Sequence, residues 1–378
     1  MISPRMQSTG WLRLYLLGVD ITVAQPVSSS GSVIAVDNVS PKLRARRPPV
    51  KLATLKDGTK DGKLLVVSKD LTRAVIAASV APTLQQAIET WLASEPKLQS
   101  LYADINAGHA AGSFALELAQ LSSPLPRAWQ WLDASAFHSH GDLLEKVFNL
   151  EPRGDKRTVP LMYQGAGDDF LGPADDVPLP SDQDGMDFEG EIGIIVDRVP
   201  MGTSAAQASG HIKLLVLIND WSLRAIASRE VKTGFGFVQT KPSTSFGPAA
   251  VTPDELGSAW QEGRMQLPIH VYWNEQEFGH PHCGQMGFSF GQLIAHGAHT
   301  RNLSAGTVIG SGTISNSDHR SVGSACIAER RGIELSELGK TQTEYLKHGD
   351  RVRIEVLDAD GQSIFGAIDQ RIVPVKTS

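Results

Sequence analysis

Glu189 and Glu191 stand two apart in Met186-Asp187-Phe188-Glu189-Gly190-Glu191-Ile192-Gly193-Ile194-Ile195-Val196. If this run is a strand, both carboxylates share one face, and Gly190, Ile192, Ile194 and Val196 share the other, because side chains alternate along a strand. Same-face neighbours lie roughly 7 Å apart. Two carboxylates so placed repel unless a cation or a proton lies between them, so the pair suggests a metal site. Taken alone, the pair reads more simply as the solvent-facing edge of a sheet. Two further acids shift that reading. Asp133 follows Trp129-Gln130-Trp131-Leu132, and Asp220 follows the apolar run Leu214–Ile218, each where a buried strand runs out. A carboxylate beside large apolar residues is costly to bury unless it is paired or ligates a metal. Four oxygen donors with no adjacent cysteine select a hard ion, Mg2+, Mn2+ or Ca2+, over zinc.

Other residues carry chemistry only in company. His140 comes seven residues after Asp133 with His138 close by, and by itself reads as a loop histidine. Lys241 in Gln239-Thr240-Lys241-Pro242-Ser243 reads as a solvated lysine, and Thr313 in Gly310-Ser311-Gly312-Thr313-Ile314-Ser315-Asn316 as a turn residue. The crowded Gly279-His280-Pro281-His282-Cys283-Gly284 reads as an exposed loop in preference to a zinc cluster.

The elements that must position these groups follow from pattern. Among 378 residues, 41% hydrophobic and 20% charged side chains describe a globular chain with a sizeable core. The formal charge of -6, with no dense basic run beyond Lys42–Arg47, excludes nucleic acid as a natural partner. Two cysteines outside any CxxC pair fit a reducing, cytoplasmic setting. No apolar stretch approaches the roughly 20 residues of a membrane span. Residues 1–50 read as an unstructured leader, a targeting peptide, or an extension ahead of a true start near Val50.

Residues 51–122 read as a small α+β domain. A strand is expected at Leu64–Val67, then a helix capped by Thr83 with a stripe of Leu84, Ala87, Ile88, Trp91 and Leu92, ended by Pro96. A second helix carries Leu98, Leu101, Tyr102 and Ile105 and stops at Gly108. Residues 123–378 then turn mostly to strands, at Trp129–Leu132, Gly190–Val196, Leu214–Asn219, Gln266–Trp273, Thr307–Ile309 and Arg351–Leu357, followed by a turn at Asp360-Gly361. The segment from Phe137 to Pro152, polar and glycine-containing, reads as a lid. The fold class expected is therefore α+β, predominantly β.

Taken together, several of these motifs resemble the fumarylacetoacetate hydrolase family, in particular its two-domain bacterial members, over about residues 51–378. They are Asp133 with His140, Tyr163-Gln164-Gly165, Phe188-Glu189-Gly190-Glu191, Asn219-Asp220-Trp221-Ser222-Leu223-Arg224, the Lys241 loop and Gly310-Ser311-Gly312-Thr313. The resemblance implies a mixed β-roll catalytic domain, a homodimer and one divalent cation, Mg2+ foremost, held by Asp133, Glu189, Glu191 and Asp220. It implies that His140 activates water, with Glu329 the nearest candidate to orient it, that Lys241 completes the catalytic set, and that Tyr163, Arg224 and Thr313 meet substrate.

The activity implied is hydrolysis of a carbon-carbon bond in a 2,4-diketo acid of the fumarylacetoacetate or acylpyruvate kind, as in aromatic compound catabolism. The cation would polarise the attacked carbonyl and hold the departing enolate. Oxaloacetate decarboxylation or 2-oxo acid isomerisation on the same site is the alternative, and a non-catalytic, metal-stabilised binding protein is a third reading. Where the fumarylacetoacetase pattern has a tyrosine, an arginine and a glutamine against substrate, this chain has Ser135, Asn149 and Ala227.

Overall fold

A run of apolar residues buried on both faces, Ile212–Asn219, forms the middle of the fold. The structure is a computed structural model, and it describes residues 11–16, 19–24, 47–147 and 154–376. Residues 1–46 and 47–378 are two units. In the first, Trp11–Leu16 and Val19–Ala24 pair antiparallel; most of the leader expected over residues 1–50 lies outside the described residues.

In the second unit the labelled strands are β1 (Lys51–Leu55), β2 (Lys63–Val67), β3 (Arg73–Ile76), β4 (Trp131–Ala134), β5 (Met162–Gly165), β6 (Gly190–Val196), β7 (Ile212–Asn219), β8 (Ala250–Val251) and β9 (Thr307–Gly310). With Phe114–Ala115 at one end and Ser245–Phe246 beside β7, they make one eleven-stranded sheet whose path runs β3-β2-β1-β8-β7-β6-β9-β4-β5. All these neighbours pair antiparallel except β9 and β4, which run parallel, with Gly310 opposite Asp133. The strands from residues 51–115 therefore continue the sheet that carries the acids. The junction is short: Leu52 pairs with Ala250 and Lys51 with Val251. Lys51 is buried there, its Nζ 2.8 Å from Ile364 O and 3.5 Å from Glu255 Oε1.

A second sheet of five strands, ordered Gln276–Gly279, Ile269–Trp273, Arg351–Val356, Ile368–Pro374 and Val177–Leu179, packs over one face of the first. Alternation decides which side chains meet it. Ile192, Ile194, Val196, Leu215 and Leu217 join Ile269, Val271, Val352, Ile354 and Ile368 in one core. Leu214, Val216, Ile218 and Ile195 point the opposite way, into a core closed by the helices α1 (Leu84–Glu89) and α2 (Trp91–Asn106). Removing this much apolar surface from water is the main force holding the layers together.

The helical pattern differs from the sequence expectation in one respect. Thr83 does cap α1, accepting from Gln86 N, but the break falls at Thr90 and not at Pro96, which lies inside α2. The Thr90 hydroxyl takes the Gln86 carbonyl, and the restart shifts the phase so that Leu92 is 89% exposed. Trp129 likewise lies outside its expected strand and is 73% exposed, because β4 begins at Trp131. The strand expected at Gln266–Trp273 begins at Ile269.

Candidate metal centre and catalytic dyad

The acidic strand is no edge. β6 lies between β7 and β9, and Glu191 on it is fully buried, as Glu189 just ahead of it nearly is. Asp133 reaches the same place from β4 and Asp220 from the end of β7. One carboxylate oxygen from each of Asp133, Glu189, Glu191 and Asp220 falls within 4.8 Å of the others. Backbone bonds fix this convergence: Asp220 N donates to Glu189 O at 3.1 Å, and Glu189 N donates to Asn219 Oδ1 at 2.9 Å.

Two glycines make room. A Cβ at Gly310 would come 2.3 Å from Asp133 Oδ1, and Gly312, at φ +77°, donates its N–H to that oxygen at 3.2 Å.

The four acids are unequally supported. Lys241 Nζ donates to Glu189 Oε2 at 2.8 Å and to Asp220 Oδ2 at 2.5 Å. Asp220 also accepts from Tyr163 OH at 2.6 Å and Thr244 Oγ1 at 2.9 Å. Glu189 Oε1 accepts from Arg224 Nη2 at 2.5 Å and from Ser222 Oγ at 3.2 Å. Burial works to raise the Glu189 carboxyl, but Lys241 and Arg224 outweigh it and hold this acid well below the usual carboxylate range.

Glu191 has no such help: both its oxygens are buried, and neither has a hydrogen-bond partner among the described residues. Burial first, then the charges of Asp133 and Asp220, push it well above its ordinary value. Asp133 is pushed up by burial and by Asp220. Lys241 stays charged in spite of burial because Asp220 and Glu189 flank it.

A hard divalent cation fits these residues. Oxygens on opposite sides of an ion at about 2.0–2.5 Å lie no more than roughly 4–5 Å apart, the spacing found here. Such an ion would also satisfy the two bare oxygens of Glu191, which otherwise stay desolvated without compensation.

Beside the acids, helix α3 (His138–Val147) packs against helix α5 (Ile327–Leu338), with α4 (Arg224–Thr233) between them in sequence. His140 on α3 and Glu329 on α5 meet with Nδ1 and Oε2 2.8 Å apart, both buried. Ser139 and Ser315 hydroxyls, 2.8 Å apart, tie α3 to the turn after β9. Part of the expected lid is thus helix α3; residues 148–153, including Asn149, lie outside the described residues. Thr313 is buried next to the Gly312 turn.

Arg224 turns to Asp187 and Glu189, with Nε 2.9 Å from Asp187 Oδ2. Asp187 is a residue whose part the sequence did not show. Its fully buried carboxylate accepts from Ile327 N at 2.7 Å and Ala328 N at 2.9 Å, so it caps the helix that carries Glu329. One signal was available: Asp187 continues the alternating acids of Glu189 and Glu191. The Gly279–Gly284 loop is packed, contrary to the exposed loop expected. Cys283 is buried in the main core, and His282 N donates to Asn316 Oδ1 at 2.6 Å.

This geometry has a family. A family model described as fumarylacetoacetate (FAA) hydrolase C-terminal matches residues 130–373, and one described as fumarylacetoacetase N-terminal domain 2 matches residues 50–127. The chain belongs to the fumarylacetoacetate hydrolase family.

Curated members of the family similar to it include a 2,4-didehydro-3-deoxy-L-rhamnonate hydrolase from Sphingomonas sp. (strain SKA58), 27% identical over 55% of this chain and 65% of that protein. The fumarylacetoacetase of Caenorhabditis elegans is 25% identical over 50% of this chain and 52% of its own. The chain thus spans about half to two thirds of the length of these relatives. Several solved structures share the fold. A fumarylacetoacetate hydrolase from Exiguobacterium antarcticum has a TM-score of 0.60 at 15% identity, over 86% of this chain and 100% of that one. A maleylpyruvate hydrolase from Sphingobium sp. SYK-6, in complex with manganese(II) and pyruvate, has a TM-score of 0.57 at 17% identity, with the same coverage. A probable 2-hydroxyhepta-2,4-diene-1,7-dioate isomerase from Mycobacterium abscessus also shares it, with a TM-score of 0.58 at 17% identity over 87% of this chain and 99% of that one. The curated relatives are named as hydrolases, and the isomerase is a likeness of fold alone. No described helix is long and apolar enough to cross a membrane.

Proposed function

We propose that the chain hydrolyses a carbon-carbon bond in a 2,4-diketo acid of the acylpyruvate or fumarylacetoacetate kind. The observation that carries this is the buried His140–Glu329 pair beside the four acids. Asp133, Glu189, Glu191 and Asp220 would hold a divalent cation, Mg2+ foremost, which supplies charge stabilisation for the substrate oxygens.

The chain's own residues account for the proton traffic. With Nδ1–H given to Glu329, the His140 ring keeps its other nitrogen free to accept a proton from water, and the carboxylate steadies the imidazolium that results. The same proton is then placed on the carbon of the leaving fragment. Lys241 offsets part of the charge of four carboxylates. Arg224 acts through Glu189, while Tyr163, which donates to Asp220, and Thr313, next to the Gly312 turn, would meet substrate. On this reading the enzyme would work as a homodimer in the cytoplasm, in aromatic compound catabolism.

The second reading, decarboxylation of oxaloacetate or isomerisation of a 2-oxo acid, is favoured by the likeness to the isomerase, since neither reaction needs an activated water. The deciding experiment incubates purified protein and Mg2+ or Mn2+ with acylpyruvates, fumarylpyruvate and oxaloacetate. Metal-dependent release of pyruvate and a free acid is expected. Turnover of oxaloacetate alone, or silence across the panel with metal bound, overturns the proposal.

A further inference from the structure

Cys326 takes part in nothing described so far. It is fully buried at the N-terminus of α5, where its Sγ accepts from Glu329 N at 3.3 Å. Yet His140, Cys326 and Glu329 each offer a ligand atom within 4.8 Å of the other two. This is a different donor set from the four acids. One nitrogen, one sulfur and one oxygen suit a borderline-soft ion, and zinc is commonly held by three such side chains with water in the fourth position. Bonds of about 2.0 to 2.3 Å in a tetrahedron put ligand atoms roughly 3.3–3.8 Å apart. The cluster therefore needs adjustments on the order of an ångström to close on the ion.

We propose that His140, Cys326 and Glu329 form a second, thiophilic metal site, taken by Zn2+ or Cd2+, that disables the catalytic base. The ion replaces the Nδ1 proton in the His140–Glu329 hydrogen bond. The Cys326 S–H bond breaks as the sulfur–metal bond forms, and that proton leaves to solvent. The imidazole keeps one proton, now on its other nitrogen, which can then only donate and no longer accepts from water. One dication against one thiolate and one carboxylate is formally neutral, as a buried cluster requires.

The site does not depend on the hydrolase reading; its inhibitory effect does. The test titrates the Mg2+-saturated protein with Cd2+ and follows the near-ultraviolet thiolate-to-cadmium absorption. The chain has two cysteines, the other being buried Cys283, so the signal can be assigned. Absorption saturating at one equivalent is expected in the native protein and in Cys283→Ser, and none in Cys326→Ser, which retains an oxygen acceptor for the Glu329 amide. A signal that survives Cys326→Ser, that appears only after Mg2+ is stripped, or that never appears overturns the proposal. In the parallel assay, Zn2+ lowers turnover of the native protein and of Cys283→Ser at least tenfold, and Cys326→Ser shifts that sensitivity at least tenfold upward. Inhibition untouched by Cys326→Ser would place zinc among the four acids instead. Cadmium bound through Cys326 in a protein without hydrolase activity would defeat the proposed function and leave the site standing.

Discussion

His140 on α3 and Glu329 on α5 lie 189 positions apart in the chain, and their ring nitrogen and carboxylate oxygen lie 2.8 Å apart in the fold. A histidine so held has one tautomer favoured and one nitrogen left to work. His140→Ala is expected to lower kcat by roughly 10²–10⁴. Mg2+ or Mn2+ affinity should stay within a few fold, as read by isothermal titration. A variant with near-native turnover would remove His140 from the base role.

Metal binding should follow pH. Asp133 and Glu191 are raised from ordinary values of 3.8 and 4.5, chiefly by burial. In the metal-free fold they retain protons that the unfolded chain has already lost. Metal-free stability therefore falls as pH rises above those ordinary values toward the raised ones. A cation must displace the same protons, so its affinity climbs over that window. The rise in Tm on adding Mg2+ or Mn2+ should be larger at pH 8 than at pH 5. An equal or reversed shift would contradict the assignment of these two acids.

Asp187 links both halves of the site, through Arg224 to Glu189 and through two amides to the helix that carries Glu329. Asp187→Ala removes the fully buried partner of the part-buried Arg224 guanidinium and leaves Ile327 N and Ala328 N without their acceptor. Breaking such a pair costs on the order of 3–5 kcal/mol, measurable by denaturant unfolding. A change below about 1 kcal/mol, smaller than a typical buried hydrogen bond, would show that the pair is not coupled as described.

Glu230 on α4 accepts from Val238 N, Gln239 N and Thr240 N, closing the loop that leads to Lys241. These bonds, that of Gln239 first, hold its carboxyl down to about 2. A depressed acid contributes above its ordinary value near 4.5 and loses that contribution as pH falls through the depressed one. The loop should therefore resist proteolysis above about pH 4.5 and lose that resistance progressively as pH falls to about 2. At neutral pH, Glu230→Ala should open residues 234–240 to protease and, by loosening Lys241, lower kcat roughly ten- to hundredfold. Unchanged cleavage and turnover would separate the loop from the lysine.

Strands such as Gly190–Val196 were legible because alternation and bounding turns are local properties. The helix break was not, because the choice between Thr90 and Pro96 depends on a side-chain hydroxyl capturing a carbonyl and on what α2 packs against. The four acids were legible in part as acids at strand ends. That they share one buried point depends on β6, β7, β9 and β4 lying side by side, a non-local order that spacing does not encode. Asp187 was hidden for a similar reason. Its partners Ile327 and Ala328 come about 140 residues later, and a fully buried acid reads in sequence like any other.

The junction at Lys51 and Val251 bears on how the chain can be cut. Because β1 is stitched to β8, and the Lys51 amine is anchored on Ile364 O, the first seventy-odd residues of the second unit are no detachable cassette. A shortened version beginning at residue 123 would bare a raw sheet margin together with the apolar flank that α1 and α2 shield. Unpaired, greasy margins of that kind recruit copies of themselves, so such a truncation would clump before its chemistry could be judged.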